Sequence, residues 1–286
     1  MIALLLLACT ADDPQTEDSF LEDTGTVDAT LPPMPPAFSG DACPTMAGDE
    51  LTFESAGVER TVKMLWPADP NGAPLWFNWH WLGGSASQAI QYQDLQDIAD
   101  LGYIVVVPES RDDELFEWGF PKGVDDSIDL TLFDDLLGCM IEQHNIDRKR
   151  VYSTGMSAGG LWTTNLAMNR SEYLAAAAPL SGGTEPFQAY DEPVRDIPVM
   201  LTWGGEDDLF QGLSFQDATF ALQASLENDG HWVLMCEHDL GHTLPPVNLD
   251  HVIDFFAAHE YGEELPWQDE LPSDLWSGCS FDAGPQ

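Results

Sequence analysis

The chain has 286 residues, enough for one large α/β domain and a tail. Apolar residues make up 44% of it, which supplies a real core, and 50 acidic against 9 basic residues leave a net charge of −41. That charge excludes charge-driven binding to nucleic acid or to an anionic membrane surface, and it implies strong self-repulsion at low salt. Such a surface either serves solubility or fits a salty environment whose counterions screen the repulsion.

Residues 1–9, Met-Ile-Ala-Leu-Leu-Leu-Leu-Ala-Cys, read as the end of an export signal, too short to span a bilayer as a mature helix. Leu6-Leu7-Ala8-Cys9 resembles a bacterial lipobox, which makes Cys9 the expected lipidation site. The protein is therefore expected to be exported and anchored by lipid at a bacterial cell envelope, or otherwise secreted. Membrane contact is expected through that anchor alone. Residues 10–42 read as an acidic, Pro-rich tether, because they hold too little apolar surface to fold alone. Residues 43–286 read as the catalytic domain. With Cys9 set aside, Cys43, Cys139, Cys236 and Cys279 remain, an even number that predicts two disulfides with three connectivities open.

Within the domain, Glu50–Ser55 and Val58–Trp66 read as two antiparallel strands around Ala56-Gly57. Leu75–Trp79 is a strand, followed by the Gly-rich loop 80–85. Residues 89–101 are expected as one helix, with Ile90, Leu95, Ile98 and Leu101 inward. Tyr103–Val107 is a buried-type strand, and 125–144 a long helix. Further strands are expected at 175–180, 199–203 and 232–236, the last of these ending the sheet, with helices at 215–228 and 247–259. Strands alternating with helices predict a mostly parallel central sheet covered by helices on both faces, without a large cap domain. Ligands on such a sheet sit beyond the carboxyl ends of the strands, so the loops that follow the strands carry the chemistry.

One of those loops stands out. Gly155-x-Ser157-x-Gly159 lies between a strand-like run at 151–154 and a helix-like run from 158, the context of a nucleophile elbow. A serine hydroxyl needs a base to take its proton and an acid to orient that base. Of the seven histidines, His80, His144, His231, His238, His242, His251 and His259, only His238 and His242 lie on the loop after the strand at 232–236. Gly241-His242 followed by Thr243-Leu244-Pro245-Pro246 presents His242 as the base. His80 is expected to shape its loop. The acid is expected among Glu206, Asp207 and Asp208, where mutual repulsion leaves one buried and the others in water. The oxyanion of the tetrahedral intermediate would be held by the N–H of Ala158 and by that of Trp81 or Leu82.

Three segments carry a family resemblance over residues 48–262. Ile146-Asp147-Arg148-Lys149-Arg150-Val151-Tyr152 runs into Gly155-Met156-Ser157-Ala158-Gly159-Gly160. Gly204-Gly205-Glu206-Asp207 follows a strand, and Leu240-Gly241-His242-Thr243-Leu244-Pro245 follows another. Together they resemble the extracellular esterase branch of the α/β-hydrolases that holds poly(3-hydroxybutyrate) depolymerase-like and feruloyl or acetyl xylan esterase-like proteins. The resemblance implies the α/β-hydrolase fold and a serine esterase acting through an acyl-enzyme, with Ser157, Asp207 and His242 as its triad. It places Asp207 at the family's His-Gly-x-x-Asp acid position. The chain departs from the family at His80-Trp81, where the pattern has His-Gly, and at Trp203, which stands in place of a His.

The short segment 182–196 leaves the site open, which suits a polymer or a large ester; Trp76, Trp79, Trp81, Trp118 and Trp203 are candidate stacking surface, and Trp81, Trp118 and Trp203 the candidate substrate-binding residues. No P-loop, dinucleotide fingerprint or metal-ligand spacing is present, so neither cofactor nor metal is expected. A serine peptidase of the same fold and a non-catalytic polymer-binding lipoprotein are the alternatives.

Overall fold

Alternating exposed and buried residues form a hairpin of β1 (Glu50–Ser55) and β2 (Val58–Leu65). Its turn residues Ala56 and Gly57 both have positive φ, 52° and 74°, as a two-residue connection between twisted strands requires. The computed structural model describes residues 31–111, 116–122, 127–245 and 249–281. The strands that follow are apolar runs buried along most of their length: β3 (Leu75–Trp79), β4 (Ile104–Pro108), β5 (Val151–Met156), β6 (Ala176–Leu180) and β7 (Val199–Trp203). After the two-residue strands β8 (Leu209–Phe210) and β9 (Leu213–Ser214) come β10 (Val233–Glu237) and β11 (Cys279–Ser280).

The nine-stranded sheet has the order β1-β2-β4-β3-β5-β6-β7-β10-β11. From β4 to β10 the neighbours are parallel, and the hairpin and β11 add antiparallel edges. Among the described residues six helices link the strands: α1 (Ala86–Tyr92), α2 (Leu95–Asp100), α3 (Ser127–Gln143), α4 (Ala158–Asn169), α5 (Phe215–Asn228) and α6 (Asp250–Ala258). The period-2 pleat divides the core. Phe77, Val106 and Leu201 pack on one face with Phe133 of α3, Trp162 of α4 and Leu222 of α5. Trp76, Val105 and Met200 pack on the other with Ile98 of α2 and Phe255 and Phe256 of α6. Both faces are covered, so parallel strands can be apolar throughout.

Three expectations change. The single helix over 89–101 is two helices, broken where Asp94 adopts φ 50°, a left-handed conformation that Asp tolerates better than most residues. The sheet does not end at 232–236: β11 pairs with β10, and the Cys236–Cys279 disulfide joins them in register. The second disulfide is Cys43–Cys139. Third, residues 32–42, read as the end of the tether, pack on the domain. Pro32 and Pro35 are buried, and the Pro32 carbonyl accepts from Arg148. The backbone N–H and hydroxyl of Ser39 both donate to Asp135 of α3, at 2.8 and 2.5 Å. Cys9 lies outside the described residues. Among the described residues no helix is long and apolar enough to cross a membrane.

Candidate active site

Ser157 sits between β5 and α4 with φ 58° and ψ −117°, a backbone conformation that non-glycine residues adopt only under constraint. The constraint is close packing. A Cβ at Gly155 would lie 2.6 Å from the Gly159 and Trp79 carbonyl oxygens, and one at Gly159 would lie 2.0 Å from the Trp79 oxygen. Only glycine fits at both places. The Ser157 N–H donates to Leu180 O at 2.9 Å, which ties the elbow to the end of β6. Ala158 opens α4, so its N–H is one of the first-turn donors without an intrahelical acceptor.

The loops after β7 and β10 are laced together through their backbones. Gly241 N–H donates to Gly204 O at 2.8 Å, and a Cβ on Gly204 would meet Gly241 O at 1.9 Å. This contact sets His242 over the elbow. Its Nε2 lies 2.8 Å from Ser157 Oγ and its Nδ1 lies 2.6 Å from Asp208 Oδ1. The ring stacks on Phe215, with centroids 4.3 Å apart.

The carboxylate beside His242 is thus Asp208, which corrects the expectation of Asp207. A turn opens at Gly205, with φ 81°, and the Asp208 N–H closes it on Gly205 O at 3.1 Å. That turn leaves Glu206 and Asp207 exposed and sends Asp208 inward, where it is 0% exposed. A buried carboxylate needs partners. Besides His242, Asp208 accepts from the Ser181 hydroxyl at 2.8 Å and from Gly204 N–H at 2.9 Å. Only one of the three adjacent carboxylates is buried, as repulsion among them requires; the family spacing points one residue short. Ser181 escaped the sequence reading as a site residue, although its place at the end of β6, beside the elbow strand, was a usable signal.

The remaining histidines take other roles. His238 Nδ1 accepts from Leu240 N–H at 3.3 Å, and burial pushes its pKa below the usual range. His251 and His259 are buried in the second core, and burial takes them down to about 3 and about 4. His80 shapes its loop, as expected: its Nδ1 lies 2.9 Å from Trp81 O, and its Nε2 accepts Ser110 N–H at 3.1 Å. The backbone donor at Nε2 fixes the tautomer, so Nδ1–H donates to Trp81 O.

A 340 Å³ cleft, open to solvent, runs past Ser157 and His242 and is lined by Trp81, Leu82, Tyr92, Met156, Phe210, Thr243 and Leu244. Trp81 and Leu82 therefore lie where the sequence puts them. Trp118 and Trp203 do not. Both are core residues, 0% and 1% exposed, Trp118 packed edge-on against Trp79 and Trp203 against Phe220. Trp76 and Trp79 are also buried. Tyr92 and Phe210 line the cleft instead; no periodicity or motif marks them in the sequence. Among the described residues no group of His, Cys, Asp and Glu could hold a metal ion.

The model of the prolyl oligopeptidase family matches residues 89–193, which contain the elbow. The oxidized polyvinyl alcohol hydrolase of Sphingopyxis sp. (strain 113P3) is 26% identical, over 82% of this chain and 86% of that protein. Feruloyl esterase D of Neurospora crassa is 29% identical over 54% of this chain and 57% of its own length. The crystal structure of native sOPH superposes with a TM-score of 0.70 at 21% identity, covering 84% of this chain and 96% of that one. The chain has the α/β-hydrolase fold and is a serine hydrolase of the carboxylic ester class. Within that fold it is similar to a poly(3-hydroxyalkanoate) depolymerase and to a feruloyl esterase.

Proposed function

We propose that this protein hydrolyses carboxylic esters through a covalent acyl-enzyme formed on Ser157. The observation that carries the reading is the unbroken chain of hydrogen bonds from Asp208 through His242 to Ser157, 2.6 and 2.8 Å long. Asp208 accepts the Nδ1–H of His242 and so keeps the Nε2 lone pair facing the serine hydroxyl. As Ser157 Oγ attacks the ester carbonyl, its proton passes to Nε2. The Ala158 N–H and the Trp81 or Leu82 N–H receive the oxyanion. Collapse of the intermediate expels the alcohol, which takes the proton back from His242. Water, activated by the same imidazole, then releases the acid.

The open cleft, with aromatic rings of Trp81, Tyr92 and Phe210 along it, favours a polymeric or bulky ester of the polyester, feruloyl or acetyl-polysaccharide type. Two disulfides favour an oxidising compartment and hence export. Lipidation at Cys9 would hold the domain at a cell envelope. The family match over 89–193 favours a second reading, a serine peptidase, because the triad chemistry acts on amides as well.

The test is hydrolysis by the purified chain and by Ser157→Ala. The panel comprises short p-nitrophenyl esters, methyl ferulate, acetylated xylan, polyhydroxybutyrate, oxidised polyvinyl alcohol and prolyl peptides. Ester turnover that disappears in Ser157→Ala supports the proposal, and the best substrate selects the subclass. Turnover of peptides alone moves the assignment to the peptidase, and ester turnover that survives in Ser157→Ala removes the nucleophile.

A further inference from the structure

We infer that Glu117 is a positioning residue for the oxyanion loop, a reading that rests on the esterase proposal. The loop of residues 80–83 lies between β3 and α1 and must aim the N–H groups of Trp81 and Leu82 at the reacting carbonyl. In a planar trans peptide the C=O and the N–H point in opposite directions, so fixing one fixes the other. Each peptide plane of this loop is fixed by a hydrogen bond at one of its ends.

The 80–81 plane is held by Trp118, whose buried indole N–H donates to His80 O at 3.0 Å. The 81–82 plane is held twice at its carbonyl: Trp81 O accepts from His80 Nδ1–H and from Gly84 N–H, each at 2.9 Å. The 82–83 plane is held at the other end, where Gly83 N–H donates to both carboxylate oxygens of Glu117 at 3.0 Å. Glu117 and Trp118 are neighbours in sequence, so one short segment that follows β4 clamps both ends of the Trp81-Leu82 pair.

The segment itself is under constraint. Glu117 takes φ 68°, a left-handed conformation that non-glycine residues adopt at a cost and that gathers at functional sites. Its own carbonyl accepts Arg111 N–H at 3.2 Å. Gly83 also has positive φ, 72°, so the residue that Glu117 grips is conformationally permissive and would wander without the grip. His80 and Trp118, already tied to the loop, complete the frame, to which Glu117 contributes the carboxylate. No contact of the carboxylate with Ser157 or His242 exists among the described hydrogen bonds, so its effect passes through the loop.

Oxyanion donors act only when they sit about 3 Å from the developing charge, and losing one outright costs about 10²–10³ in kcat. A loop that keeps its donors but loses its clamp should cost less. Glu117→Ala is expected to lower kcat about tenfold or more with KM within about twofold. Glu117→Gln keeps an acceptor for Gly83 N–H and is expected to restore most of kcat. Amide exchange of the peptide spanning residues 81–85, followed by mass spectrometry, should quicken in Glu117→Ala and return to the wild-type rate in Glu117→Gln. If Glu117→Ala does not fold, Glu117→Asp, one methylene short of Gly83, replaces it. Wild-type kcat in the Ala variant, or unchanged exchange at 81–85, would overturn the inference. So would a loss of kcat that Gln does not rescue and that follows a loss of thermal stability. A wild-type protein inactive on every ester would instead sink the esterase reading, and the exchange rates would still decide the clamp.

Discussion

Asp208 Oδ1 lies 2.6 Å from His242 Nδ1, while Asp207, its neighbour in the chain, faces water. Two adjacent carboxylates thus separate into one that orients the base and one that does not touch it. Asp208→Asn leaves an amide where a charge must stabilise the imidazolium, and it can turn an N–H toward Nδ1 and invert the tautomer. The expected loss is about three to four orders of magnitude in kcat, with KM little changed. Asp207→Asn should stay within about twofold. Steady-state kinetics of the two variants on one p-nitrophenyl ester decide the matter. A larger loss in Asp207→Asn would return the acid role to that residue.

The elbow stores strain that can be released. Ser157 holds φ 58° and ψ −117°, where a Cβ is unfavourable and glycine is at ease. Ser157→Gly should therefore abolish activity and raise stability by about 1–2 kcal/mol, a few degrees in Tm for a domain of this size. Ser157→Ala should also be inactive but gain less, because it keeps the Cβ. A differential scanning calorimetry trace with Ser157→Gly below wild type would show that the hydroxyl and its bond to His242 stabilise the fold more than the strain costs it.

The parts that could be read from the sequence are those with a short physical period or a fixed local geometry. Alternation marked β1 and β2, apolar runs marked the parallel strands, and the glycines around Ser157 marked the elbow because backbone contacts at 2.0 and 2.6 Å forbid any side chain there. His242 followed from topology, since only His238 and His242 lie on the loop directly after β10. The acid was displaced by one residue because the facing of a turn depends on its φ values, here 81° at Gly205, and spacing does not encode them. Trp118 and Trp203 were misplaced for a different reason. Composition cannot say which way an aromatic ring points, and both rings fill the core. Tyr92 reaches the cleft because the helix breaks at Asp94, a break that the apolar periodicity runs straight through.

Two buried histidines make stability depend on pH. His251 and His259 have folded pKa values pushed down by burial to about 3 and about 4, against about 6.5 for an exposed histidine. Below pH 6.5 the unfolded chain binds protons that the folded chain refuses, so stability is full above that pH and falls as the pH drops. Between pH 7 and pH 5 each histidine should remove about 2 kcal/mol. His251→Gln keeps a polar contact for the Thr202 hydroxyl and should flatten the dependence by about that amount. Urea unfolding of both proteins at pH 7 and pH 5, at one salt concentration, measures the difference. Parallel pH dependences would show that His251 takes up a proton in the folded state.

The surface charge bears on both the cleft and the fold. Among the described residues no Lys or Arg lines the cleft, while Glu206, Asp207, Glu237 and Asp239 stand exposed on or next to the loops that carry the acid and the base. A neutral ester approaches this acidic surface unopposed, and an anionic one meets long-range repulsion. For a matched pair, p-nitrophenyl butyrate and mono-p-nitrophenyl succinate, kcat/KM at low salt should be at least about tenfold lower for the anion. Added sodium chloride shortens the screening length from about 30 Å at 0.01 M to about 3 Å at 1 M, so the gap should narrow steeply with salt while the neutral ester stays nearly flat. Replacing Glu206, Asp207 and Asp239 together with their amides should narrow it at low salt. The same screening should raise Tm with salt, because a net charge of −41 opposes the folded state more than the expanded one. Equal rates for the two esters at low salt would show that the local field at the cleft does not follow the overall charge, and a Tm that ignores salt would assign the acidic surface to solubility alone.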